Sequence, residues 1–381
     1  MPRIAYLDRA RAIGMFLVYY GHFVERAVAI KSASVLSAQW RFIYSFHIPL
    51  FFFLAGVFWK PSVSFWDTFK NKLKTRLVPA VFFTLALIPA LIVFTPAQFT
   101  ERALTFSFLT GVPDFNLVVW FLICLMVVEL IAALIDNFLI TTPLRLAAYS
   151  VVFLLVGYYG FVLNFSSVTQ LFGVRPNIWY VDDAFIALPF YFAGYLLRDL
   201  LRGFENRWGW ALSIGIAAAA GYGVWQTYDL NRGEKFWGVL IVLSKYGNLD
   251  YFLLTAFLGI FGVVALSRAL HFNLPPLNFV GRHSLIYLGL NGLCYHFLNA
   301  AIVANLKLPI RSHLDLALYA TLISVAQLIL FAPLVVALRR YLPELVGMAW
   351  TSTSILPPIE TWRERRTGAW LLGQMKKYIL N

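Results

Sequence analysis

The sequence predicts an all-α, polytopic integral membrane protein of about ten transmembrane helices with both termini cytoplasmic. Three observations carry this reading. Of 381 residues, 60% are hydrophobic and only 13% are charged, with a mean hydropathy of +0.73. A soluble domain carries about 25% charged residues, so this chain cannot cover its apolar surface in water. The apolar residues also fall into runs near the ~20 residues that a helix needs to cross a bilayer. Finally, the basic residues behind the formal charge of +13 sit in short loops between those runs. That distribution fits membrane topology rather than a nucleic-acid surface.

The runs occupy 11–30, 41–59, 77–95, 117–136, 143–163, 181–200, 208–226, 249–268, 283–303 and 316–338. In that arrangement 21 of the 31 Lys and Arg residues share the side that holds both termini. The positive-inside rule makes that side the cytoplasm. Arg3, Arg9 and Arg11 precede the first run and Ala-Val-Ala follows at 27–29, as in a signal peptide. His22, Glu25 and Arg26 are foreign to a removable leader, so the run reads as the first span. Cys124 and Cys294 lie inside apolar runs and offer neither a disulfide framework nor a metal spacing. Residues 1–340 form the expected membrane domain. Residues 341–381 form a basic tail with Trp350, Trp362 and Trp370, suited to rest on anionic headgroups, partly as an amphipathic helix, or to bind a partner.

Ionisable groups at membrane depth mark function by default. His22 lies eleven residues after Arg11, hence roughly 16 Å along the helix and on nearly the same face. Glu25 follows one turn later, at a spacing where a carboxylate can meet the imidazole. A face bearing Arg, His and Glu cannot point at lipid; it must line a cavity or a polar seam. A neutral imidazole can take a proton from an alcohol, and a nearby carboxylate can stabilise the imidazolium. The same pair would serve a proton-coupled transporter, and a lone bundle histidine can simply be hydrogen-bonded to a neighbouring helix. In the second run, FHIPLFFFLAGVFW at 46–59, Pro49 predicts a kink and Gly56 close packing. His47 reads either as a site residue or as an interfacial one. Lys70, Lys72, Lys74 and Arg76 approach the third run together, either as a topological anchor or as a clamp for a polyanion.

Taken in order, LDRARAIGMFLVYYGH, FHIPLFFFLAG, KTRLVPA and VVWFLICLMV resemble the acyltransferase-3 family of integral membrane acyltransferases. The chain is most similar to the fucose 4-O-acetylase-like, or polysaccharide O-acetyltransferase, branch. ALPFYFAGYLLR at 187–198 and VGRHSLIYLGLN at 280–291 extend the resemblance over most of 1–340. It implies that His22 is catalytic, with Arg11 ten intervening residues before it. It further implies that Lys74-Thr75-Arg76, in place of the usual Arg-x-Arg, meets an acyl-CoA donor, with Lys72 beside it. A lysine keeps the charge and lacks the planar fork of arginine. Ala55 stands where the family usually has Ser, and Asn291 where it often has His. Asn can hydrogen-bond but cannot carry a proton.

The resemblance therefore implies transfer of an acyl group, most simply acetyl from cytoplasmic acetyl-CoA, to a hydroxyl of a glycan or lipid-linked sugar. The setting would be the bacterial cytoplasmic (inner) membrane, in modification of a polysaccharide such as an exopolysaccharide. His22 and Glu25 would act on the hydroxyl, and Arg11, Lys72, Lys74 and Arg76 on the donor. His47, Trp120, Trp179, Tyr180, Asp182, Asp183 and Asn291 would line the acceptor side. Aromatic faces and carboxylates suit sugars, although 179–183 also reads as an interfacial aromatic belt with helix-N-terminal acids. No metal and no nucleic acid are expected; membrane lipids and glycan-synthesis machinery are the other expected partners. The rival readings are a proton-coupled transporter or flippase, and a structural membrane subunit. A transporter should repeat its acids or broken helices in two halves, whereas the ionisable cluster here is confined to the first two runs.

Overall fold

A computed structural model describes residues 4–31, 37–61, 64–94, 111, 116–139, 142–162, 178–203, 209–231, 238–270, 274–305 and 308–359. Apart from one isolated bridge between Leu240 and Lys245, the regular structure described is helical. In chain order the helices are α1 (Ala5–Lys31), α2 (Ala38–Tyr44), α3 (His47–Val57), α4 (Phe65–Lys72), α5 (Val78–Phe94), α6 (Trp120–Phe138) and α7 (Pro143–Val162). Next come α8 (Val181–Gly203), α9 (Gly209–Thr227), α10 (Leu249–Ala269), α11 (Pro275–Arg282), α12 (Ser284–Leu293), α13 (Asn299–Asn305) and α14 (His313–Tyr341). Two π-helical turns, Leu73–Leu77 and Cys294–Leu298, join α4 to α5 and α12 to α13.

Among the described residues, eight continuous or nearly continuous helical stretches are long and apolar enough to cross a bilayer. Each of the ten predicted runs is helical over most of its described residues. The two others, α7 and α9, are present where runs 143–163 and 208–226 predict them. Helix α9 is diluted by Gly and Ala, and α7 is apolar over Pro143–Tyr159. Both turn large apolar side chains outward, among them Leu144, Val152, Leu212 and Trp225. Leu318, Leu322 and Ile329 do the same on α14. So much outward apolar surface suits lipid, not water.

Helix α1 runs through the interior and packs against α3, α10, α11, α13 and α14. Its first turns are tied to other helices at one end of the bundle. Tyr6 donates to the Leu201 carbonyl (2.6 Å), Arg9 to the Ser267 carbonyl (3.0 Å), and Arg282 approaches Asp8 (3.7 Å). His283 meets Arg339 (3.3 Å) at the same end, so residue 8 and the end of α14 lie together. Of the tail, 342–359 is described; it carries one short 3₁₀ turn, Glu344–Val346, and residues 360–381 lie outside the described residues.

The second run is broken rather than merely kinked. Pro49 cannot donate to the carbonyl of Ser45, and its ring would collide with it. The helix stops at Tyr44 and restarts at His47, leaving Pro49 in the first turn of α3, where a missing N–H costs nothing. The His47 ring donates through Nδ1 to the Ile43 carbonyl (2.9 Å), which also accepts the Phe46 amide (3.2 Å), so the ring bridges the break. Past the break, α3 lies directly on α8. A Cβ on Gly56 would run into the Tyr191 carbonyl, and one on Gly194 into the Phe53 carbonyl.

This reciprocal glycine contact generates a stability prediction. Gly56→Ala should destabilise the bundle by about 1–3 kcal/mol through overpacking. Gly215→Ala, where an added Cβ meets nothing within 4 Å, should leave stability unchanged or slightly raised. Thermal unfolding of the two variants in detergent checks the contrast.

Candidate functional site

The face of α1 predicted from spacing does line cavities. Arg11, Met15, Val18, His22 and Glu25 succeed one another at intervals of three and four residues. The first three border a cavity of about 600 Å³ at the basic end of the bundle. The last two border a second cavity, of about 200 Å³. Ile48, in the first turn of α3, lines both. The broken second span thus stands where the two spaces approach one another.

Cations dominate the larger cavity: Arg11, Lys60, Lys72 and Arg76 line it together with Asp67 and Glu129. Arg11 lies over the Phe58 ring at 4.4 Å from its centroid and 3.7 Å from Asp8. Lys72 and Arg76 are four residues apart and project to one side of the α4–α5 junction. Both reach Glu129 of α6. Arg76 donates from Nε to Oε2 (2.9 Å) and from Nη2 to Oε1 (2.9 Å), while Lys72 Nζ donates to Oε1 (2.8 Å). Such a forked pair is among the stronger charge-assisted contacts. Lys74, two residues from each, is absent from the cavity lining described. Helical geometry carries a residue two positions on to nearly the opposite side, so the cavity pair is Lys72 and Arg76 rather than Lys74 and Arg76.

At the smaller cavity, His22 Nδ1 is bonded to Asn291 Oδ1 across 269 positions of sequence. An amide oxygen only accepts, so with Asn291 in this orientation Nδ1 carries the proton and a neutral ring keeps its lone pair at Nε2. Tyr295 packs edge-on to the same ring (centroids 4.9 Å apart). Asn291, not Glu25, is the partner at Nδ1. The Glu25 carboxylate instead accepts the Tyr44 hydroxyl (2.8 Å) and the Tyr295 hydroxyl (3.1 Å). Tyr295 is held in turn by Arg26, whose Nε donates to its carbonyl (3.2 Å) and whose guanidinium covers its ring at 4.7 Å. His47 and Trp120 also line this cavity, opposite an apolar strap, Val239–Leu243.

The residues at 179–183 stand apart from the cavity that holds His22. None lines the smaller cavity among the described residues. Tyr180 is buried against Trp120 (5.5 Å between centroids) and so backs a lining residue. Asp183 is wholly buried and accepts hydrogen bonds from Ser244 (3.0 Å) and Tyr246, which anchors the loop bearing the strap. Trp179 sits on the bend before α8 with φ of 55°, and Asp182 is half-buried in its first turn.

Several contributors escaped sequence reasoning. Glu129 had a signal, because a carboxylate within an apolar span is itself unusual. Tyr44 and Tyr295 had none in a chain with 19 tyrosines.

The same bundle thus holds one cavity bordered by four cations and another bordered by His22 and Glu25. A family of acyltransferase domains matches residues 4–350. The chain belongs to the acyltransferase-3 family. Neither the curated proteins nor the solved structures include a match to it. This acyltransferase is thus a membrane-embedded transferase that takes an acyl group from a donor, and the cavities are the candidate places for its two substrates.

The Asn291 contact predicts a kinetic signature for this acyltransferase. Asn291→Leu removes the acceptor at His22 Nδ1 and frees the ring to rotate. Turnover should fall by about 10²-fold, the scale of a small misplacement, while the donor KM stays unchanged. Steady-state kinetics on the folded variant read both quantities.

Proposed function

We propose that this acyltransferase moves an acetyl group from cytoplasmic acetyl-CoA to a hydroxyl of a glycan or lipid-linked sugar. It would do so as a polysaccharide O-acetyltransferase of the bacterial inner membrane. The single observation that carries the reading is the α1 face on which Arg11 and His22 open into two cavities that approach at Ile48. The larger cavity falls within the ~300–1,000 Å³ typical of small-molecule sites, and its Arg and Lys side chains suit phosphate. Between Arg11 and His22 the wall is Met15 and Val18, apolar surroundings that suit the uncharged thioester arm and not the phosphates.

In this mechanism the acceptor hydroxyl enters the smaller cavity and gives its proton to His22 Nε2. The oxygen attacks the thioester carbonyl, the carbon–sulfur bond breaks, and the thiolate leaves with the proton returned by the imidazolium. Asn291 holds the ring's other nitrogen. Glu25, one turn on, places a negative charge near the transient imidazolium, with its carboxylate fixed by Tyr44 and Tyr295. The basic loops on the side of both termini support reading that side as the cytoplasm, where acetyl-CoA would reach the larger cavity.

Radiolabelled acetyl-CoA given to the purified protein tests this reading. His22→Ala should lower acetyl transfer by about 10²–10⁴-fold, and Arg76→Ala should raise the KM for acetyl-CoA with the protein still folded. Unchanged transfer in His22→Ala would remove His22 as the base. A wild-type protein that never binds CoA would remove the donor assignment and favour the transporter reading.

A further inference from the structure

A cavity that receives a polyanion is not an obvious place for a carboxylate, yet Glu129 stands in the wall of the cation cavity. It is 5% exposed and lies mid-way along α6 among apolar side chains. Two cations share it: Lys72 Nζ at 2.8 Å, and Arg76 through both Nε and Nη2 at 2.9 Å. The remaining Arg76 nitrogen, Nη1, donates to the Thr75 carbonyl (3.2 Å). All three guanidinium nitrogens are therefore engaged with the protein itself, and two of them with the one carboxylate. The side chains of Lys72 and Arg76 are each about one-fifth exposed, at 20% and 21%. Two half-buried cations this close together gain from a shared counter-charge.

These facts give Glu129 two opposed effects. It holds the Arg76 fork and the Lys72 ammonium at fixed positions, and it repels any phosphate that comes to the same groups. We propose that Glu129 is the internal counter-ion of this cavity, holding Lys72 and Arg76 in the unliganded protein and competing with the donor's phosphates for them. It is a positioning residue that sets donor affinity by acting through the two cations. The inference rests on the acyl-CoA reading of the cavity. Its chemistry predicts that donor binding transfers part of the Lys72 and Arg76 hydrogen bonding from Glu129 to phosphate oxygens. On donor release the two half-buried cations return to Glu129.

Coenzyme A itself is the probe, with the full-length chain in detergent and two substitutions. Glu129→Gln keeps the shape and an acceptor oxygen but removes the charge; Glu129→Asp keeps the charge. The uncharged variant should unfold at a lower temperature than wild type without ligand, and CoA should raise its unfolding temperature by more than it raises the wild type's. Its Kd for CoA should be at least about tenfold tighter, because like-charge repulsion is gone. Glu129→Asp should bind CoA within about twofold of wild type. If Glu129→Gln folds only when purified with CoA, that rescue is the same outcome in stronger form; failure to fold even with CoA overturns the proposal. Equal or weaker CoA binding by a folded Glu129→Gln also overturns it while leaving the donor reading intact. CoA binding to neither protein removes the donor reading and this inference together.

Discussion

A charge inside the bilayer must face protein, and helix α1 carries three ionisable groups on one side. Placing one charged residue against lipid at mid-membrane costs about 2.5–3.5 kcal/mol even on the lower scale. Arg11, His22 and Glu25 therefore dictate which side of α1 is turned inward, and the neighbouring helices are arranged around it. Asn291 of α12 meets His22, Tyr44 of α2 and Tyr295 of the second π turn meet Glu25, and Phe58 beyond α3 underlies Arg11. Each is a long-range contact satisfying a group that could not remain unpaired in hydrocarbon.

Close packing of helices tends to eliminate the space that a reaction needs, and this bundle keeps space where its helices are irregular. The break before α3 removes regular backbone beside His22 and puts Ile48 at the junction of the two cavities. The two π turns lie next to the same spaces. One leads from Lys72 into Arg76, and the other carries Tyr295. A π turn inserts an extra residue into a helix and re-aims the side chains after it, so such turns recur at functional sites. Regular helix supplies the rigidity here, and its interruptions position the chemistry. The Gly56–Gly194 contact adds to this by pressing α3 onto α8, fixing the far end of the broken span.

Much of this was legible in the sequence wherever the signal was local. The eleven-residue interval between Arg11 and His22 placed both on one face because helix geometry is periodic. Pro49 announced an interruption, although a kink was expected and a two-residue break is found. The partner of each group, by contrast, required three dimensions. His22 and Asn291 are separated by 269 positions, and spacing within α1 pointed to the closer Glu25 instead. Asp182 and Asp183 look equivalent in sequence, but consecutive helical residues diverge by ~100°. Asp183 consequently turns inward to Ser244 and Tyr246 while Asp182 stays half-buried. In the basic-x-basic pattern at 74–76, a two-residue interval turns Lys74 away from the cavity that Lys72 and Arg76, four residues apart, both line.

The space between the two cavities bears on why a transferase would avoid being a hydrolase. An acyl thioester beside an activated histidine is exposed to attack by any hydroxyl, water included. The wall leading from Arg11 toward His22 is Met15 and Val18, and Ile48 faces both cavities. None of these side chains can bind water or hold a phosphate. On the proposed donor reading, these apolar side chains would favour the uncharged acyl arm, while a charged donor end would stay with Arg11, Lys72 and Arg76. On the far side, Val239–Leu243 closes over the His22 pocket with five more apolar side chains, and Asp183 anchors their loop. A hydroxyl attached to a larger apolar or ring-bearing body can displace water from such a pocket, whereas water alone gains little there. On the proposed reading, selectivity for an organic acceptor would come from the apolar surfaces beside His22, and its basicity from the polar seam of Asn291, Glu25, Tyr44 and Tyr295.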